Sequence, residues 1–107
     1  MASATYLLFR KAISGEQQVV CSYEGRRREL CPHINGTNNQ GEEAVLAWQF
    51  AGESSGKLPQ WRCLNLAKVQ NARLREGPWF EGDSHKIGQR CVTRVDLDIN
   101  IHIRKRR

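Results

Sequence analysis

The chain has no long apolar run. No stretch is long enough to span a bilayer, and residues 1–11 lack the continuous apolar segment of a secretory leader, so an intracellular, cytoplasmic protein is expected. Cysteine is sparse and dispersed: Cys21, Cys31, Cys63 and Cys91 include none of the close pairs on which structural zinc sites draw. Each lies in a strand-like pattern, which predicts buried free thiols ahead of a disulfide framework. His33, His85 and His102 are too far apart to suggest a metal site and read as surface or hydrogen-bonding histidines. There is no nucleophile elbow, no phosphate loop and no spaced acid pair with an evident pocket. Catalysis is therefore not expected, and no cofactor is implied. Acidic residues are also scarce, 11 against 17 Lys and Arg, leaving a formal charge of +6. That excess suits an anionic partner such as nucleic acid, nucleotide or acidic protein, and equally suits plain solubility.

With 107 residues there is room for one domain and one core. Hydrophobic residues make up 39% and charged residues 26%, the profile of a globular domain and not of a disordered chain. Any site must then share space with the edge of that core, or with a second copy of the chain.

In chain order, residues 3–13 place Tyr6, Leu7, Phe9, Arg10 and Ile13 at spacings that allow an amphipathic helix, with Ser3 as its cap and Gly15 as its stop; a strand over residues 5–10 is the alternative. Residues 17–23 alternate, Glu24-Gly25 forms a tight turn, and the return strand over residues 27–34 has Arg28 leading Leu30, Pro32 and Ile34 along one face. Pro32 cannot donate to a ladder, so that strand is expected at an edge or broken there. Residues 35–41 read as a loop rich in Asn and Gly. Asn35-Gly36-Thr37 matches a glycosylation acceptor, a match without meaning in a protein with no export signal. Residues 44–50 are almost wholly apolar, as in a strand covered on both faces. A second loop over residues 51–60 returns the chain as a long hairpin.

The stretch from Trp61 to Val69 organises the rest. Arg62, Leu64 and Leu66 share a face of an extended strand, which puts a guanidinium in line with two core residues. That is tolerable where the strand ends at an open mouth and the arginine meets an anion. A short alternation through Leu74 ends at Gly77-Pro78, and residues 79–88 read as an irregular crossing. From residue 91 to residue 103 a near-unbroken period of two predicts one long strand, whose outer half is free to pair with another chain; Asp96 and Asp98 then decorate its solvated face. Residues 104–107, all basic, read as a solvated or phosphate-attracting tail.

Tyr23, the run from Arg28 to His33, the strand Val45-Leu46-Ala47-Trp48, and the run from Arg62 to Val69 together resemble the WYL domain in content and order. The resemblance covers roughly residues 4–75, and its most specific parts are the spacings from Arg28 to Pro32 and from Arg62 to Val69. Glu43 and Ala44 stand where that family has its name-giving Trp and Tyr, and Ala67 stands where an acidic residue is common. The resemblance implies a mainly β, small Sm-like or SH3-like barrel over residues 3–75, with residues 76–107 as a C-terminal extension. It also implies a ligand-sensing module of bacterial transcription regulators and phage-defence systems, binding nucleotide or nucleic acid at basic residues near the barrel mouth.

The ligand-binding positions so implied are Tyr23, Arg28, Arg62 and Lys68, with His33 adjacent and Trp48 as an aromatic platform. Forked guanidiniums at neighbouring strand ends suit phosphate, and Tyr23 or Trp48 would stack a base. Residue by residue, Arg28 and Arg62 read as ligand-facing, whereas Lys68 reads as solvated and Tyr23 and Trp48 as core. The competing class is a protein-interaction or oligomerisation subunit that adds the strand over residues 91–103 to a partner's sheet.

Overall fold

The computed structural model describes residues 2–54, 56–82 and 90–103, without the side chains of His102 and Ile103. His85, the later part of the crossing over residues 79–88, and the basic tail lie outside the described residues.

The first segment is a helix, α1 (Ala4–Gly15), capped as expected by Ser3, whose hydroxyl accepts the Tyr6 amide. Ser3 also donates from its amide and its hydroxyl to the Glu43 carboxylate, tying the start of the helix to the sheet. A cap of this kind contributes about 1 kcal/mol. Tyr6, Phe9, Ala12 and Ile13 form the buried stripe that the spacing predicts. Gly15 is still helical; the left-handed residue that closes the helix is Glu16 at φ 50°, whose N–H reaches the carbonyls of Ala12 and Ile13.

Six strands then form one antiparallel sheet: β1 (Gln18–Tyr23), β2 (Arg26–Thr37), β3 (Glu43–Gly52), β4 (Gln60–Asn65), β5 (Val69–Arg75) and β6 (Arg94–Asp98). Their order is β4-β3-β2-β1-β5, with β6 paired to β2. Both residues of the Glu24-Gly25 turn have positive φ, 53° and 74°, the backbone that a two-residue hairpin matched to strand twist requires. A 3-10 turn, Leu66–Lys68, carries the chain from β4 into β5. The Tyr23 hydroxyl at the end of β1 accepts the Asn65 amide at the end of β4, which draws the two sides of the sheet together. The fold is thus mainly β and barrel-like, with Tyr6, Phe9 and Ala12 of the helix, Leu64, Leu66 and the inward residues of β1 to β3 in its main core.

β2 is central, not an edge, although it carries Pro32. Its pairing with β1 ends at Leu30 and its pairing with β6 begins at Ile34. Pro32 falls in the gap between them, and the register against β3 shifts between Pro32 and Ile34. A missing ladder donor is tolerated there, and the irregularities help the long strand to curl.

Residues 35–37, expected in a loop, belong to β2, and the turn proper begins at Asn38. Asn35 is fully buried, which closes its glycosylation pattern to modification. Gly36 is required by proximity: a Cβ there would lie 1.9 Å from the Arg94 carbonyl oxygen of β6.

The long C-terminal strand is not formed. β6 ends at Asp98, and residues Ile99–Ile103 turn into a π-helix. Leu97 and Ile99 bury against Ile13 of α1, while Val95 and Ile101 stay exposed. Asp98 is buried, contrary to a solvated role, and Asp96 accepts hydrogen bonds from Tyr6 and Arg10 of α1. Alternation in sequence constrains which residues share a face only while the backbone stays extended.

The cysteines also divide differently from expectation. Cys63 and Cys91 are bonded, with Cα atoms 5.5 Å apart, and hold the segment before β6 against β4. Cys21 and Cys31 are the buried free thiols. Separated by 28 positions along the chain, Cys63 and Cys91 have no local signature of a pair; the folding of β4 beside the chain before β6 brings them together. Among the described residues no helix is long and apolar enough to cross a membrane.

Candidate functional site

Arg28 enters β2 just after the tight turn, and Arg62 lies on β4, separated from it in the sheet only by β3. Both aim at one side chain of that intervening strand. Arg28 Nη1 donates to Gln49 Oε1 at 3.1 Å, and Arg62 Nε donates to the same oxygen at 2.9 Å. The Gln49 amide nitrogen is already committed to the carbonyls of Ala51 and Glu53, so its oxygen has to face the arginines. The amide is fully buried and acts as a fixed acceptor under two cations.

That acceptor is neutral. Arg28 is only 3% exposed, and its nearest carboxylate, on the exposed Glu24, stands 3.8 Å from Nη2. Nη2 also donates to the Tyr23 carbonyl at 3.4 Å, and the guanidinium carbon lies 5.7 Å from the Tyr23 ring centre. The buried Arg28 Nε has no partner. Arg62 donates further to the Ser54 hydroxyl in the loop after β3. Burial, then the charges of Arg28 and Arg26, push the Arg62 guanidinium below its ordinary pKa, with Glu24 opposing. Two cationic groups thus meet over one uncharged oxygen, an arrangement that an incoming anion would relieve.

The space in front of them is a cavity of about 160 Å³, lined by Tyr23, Glu24, Arg28, Trp61, Arg62 and Cys63 among others. A neighbouring cavity of about 310 Å³ has Ser22, Gly25, Lys68 and Gln70 in its wall, and Glu24 belongs to both. Tyr23, Arg28 and Arg62 are therefore brought to one opening, and Lys68 lies in the wall of the neighbouring cavity.

His33 and Trp48 are not at that opening. His33 is buried behind Trp61, its ring centre 4.9 Å from that indole and 5.0 Å from Trp79, with Nδ1 2.7 Å from the Cys31 carbonyl oxygen. Trp48 packs edge-on against Trp61 at 5.0 Å, and Gly82 lies so close to its ring that a Cβ would come within 2.5 Å. It is core, not a stacking platform. Trp61 is the indole that reaches the cavity, and its orientation is held by His33 and Trp48.

Gln49, Ser54, Glu24 and Trp61 were not among the expected site residues. Gln49 did carry a signal, as the lone polar residue within the apolar run of residues 44–50, since a buried amide implies partners. The other three gain their roles from strand pairing and loop placement. Among the described residues no three His, Cys, Asp or Glu side chains are grouped so as to hold a metal ion. Comparison with protein-family models, curated proteins and solved structures finds no match to this chain.

Proposed function

We propose that the chain is a non-enzymatic regulatory module that senses a nucleotide or a single-stranded nucleic acid at the opening between Arg28 and Arg62. One observation carries this reading: two guanidiniums, one of them 3% exposed, share a single neutral acceptor at the wall of a cavity. Phosphate is an anion whose geometry suits forked donors, and Trp61 beside them offers a face to a base. The resemblance to the WYL domain supports a role in transcription regulation or phage defence.

Titration with short single-stranded oligonucleotides at two salt concentrations tests the proposal. Affinity is expected to fall as salt rises, because phosphate contacts release counterions. Arg62→Ala is expected to weaken binding by about tenfold or more, the loss of a charge-assisted hydrogen bond, and to reduce the salt slope by about 0.7. Absence of binding at low salt overturns the proposal.

The alternative is an oligomerisation subunit. Among the described residues β6 pairs with β2 alone, and Val95 on it is 44% exposed, so this short strand retains an edge for a partner. Light scattering at high protein concentration separates the two: a monomer throughout rules out self-association.

A further inference from the structure

We infer that Glu24 biases the choice of phosphate at the cavity, weakening the doubly charged terminal phosphate of a mononucleotide more than the singly charged phosphodiester linkage of a strand. The inference rests on the proposal that this opening binds phosphate, and it names the class of ligand within it. Arg28 and Arg62 supply two positive charges to the cavity wall and Glu24 one negative charge, so Glu24 halves the net charge that draws a phosphate in. Glu24 is held at the rim by its backbone, in the left-handed region at φ 53° within the β1–β2 turn. Its carboxylate is 64% exposed and stands 3.8 Å from the Arg28 guanidinium, close to where a bound phosphate would have to approach. Coulomb energy scales with the product of charges, so Glu24 takes away about twice as much of the arginines' attraction from a dianion as from a monoanion.

The shape of the surface supports the same choice. Glu24 lines two cavities, one of about 160 Å³ with the arginines and one of about 310 Å³ with Ser22 and Lys68. A strand whose phosphodiester lies at the arginines has room for its next nucleoside in the second cavity, where Lys68, Ser22 and Gln70 offer polar contacts. A mononucleotide has a single nucleoside and can fill one side only.

The test compares adenylyl-adenosine, which carries one phosphodiester charge, with adenosine 5′-monophosphate, a dianion at pH 7.5 because its second pKa is about 6. Both are titrated into the full chain by calorimetry. Glu24→Gln is expected to raise affinity for the monophosphate about fourfold and for the dinucleotide about twofold, the scale of an exposed charge pair. Glu24→Asn, whose side chain tolerates the left-handed backbone, is expected to shift the ratio the same way, which guards against an effect of turn strain. If both ligands bind wild type and variants with an unchanged ratio, the role of Glu24 is overturned while the phosphate site stands. If neither ligand binds wild type or variants, the site itself falls, and this inference with it.

Discussion

Arg28 and Arg62 are joined through one oxygen atom. They approach Gln49 Oε1 from the strands on either side of β3, at 3.1 and 2.9 Å. Neither guanidinium therefore rests on a carboxylate beneath it, and the opening stays positive. The same geometry makes Gln49 the structural centre of the site.

Replacing Gln49 by Leu is expected to destabilise the fold by about 2–3 kcal/mol, because the arginines lose a buried acceptor and two backbone carbonyls lose their donors. Urea denaturation of the variant measures this. An unchanged midpoint would mean that water replaces the amide without cost, and that Gln49 does not organise the pair.

Gly36→Ala is expected to loosen β6 or to destabilise the whole sheet by several kcal/mol, since the added Cβ would sit 1.9 Å from a backbone carbonyl oxygen and 2.8 Å from Val92. Amide hydrogen exchange distinguishes the two results: protection lost only along residues 94–98 means local release, and loss across β1 to β3 means global weakening. Retained protection with wild-type stability would refute the close approach.

The Cys63–Cys91 bridge is testable by counting thiols. The unreduced, unfolded chain is expected to react at two thiols, Cys21 and Cys31, and the reduced chain at four. Reduction is expected to lower stability by about 3.6 kcal/mol, the loop-entropy estimate for a closed loop of this size. Four reactive thiols before reduction would show that the bridge does not form.

Alkaline pH is expected to weaken the fold. Burial pushes the Cys21 and Cys31 thiols up from 9.0 to about 11, so both stay protonated in the native state when the unfolded chain has released its protons. The unfolded state then binds fewer protons, and stability falls as pH rises from about 9 to about 11. Burial first, and then its hydrogen bond to Asp96, also hold the Tyr6 phenol above its ordinary value, which acts in the same direction at higher pH. Cys21→Ala should flatten part of this decline in melting temperature against pH; an identical decline would assign it to other groups.

Much of the fold was legible because its causes are local. Ser3 before an apolar stripe starts a helix, Glu24-Gly25 closes a hairpin, and the apolar run at residues 44–50 becomes the doubly covered β3. The pairing of Arg28 with Arg62 at one mouth was also within reach, since each leads a row of apolar residues along a strand face. The alternation after Cys91 misled because period two is necessary for a strand and not sufficient. Packing of Leu97 and Ile99 against Ile13 accompanies the change to a π-helix at Ile99.

By itself, then, the sequence determined a small, basic, mainly β protein with a hairpin after β1 and arginines at strand ends, and left residues 3–13 open between a capped helix and a strand. Periodicity, turn chemistry and charge act over a few residues and are written in order along the chain. Only the tertiary structure decided that Gln49 lies beneath both guanidiniums, that Trp61 and not Trp48 reaches the cavity, that Cys63 meets Cys91, and that Glu24 stands at the rim. Those relations depend on strand order and register, which bring distant residues within a few ångströms and leave no periodic trace in the chain.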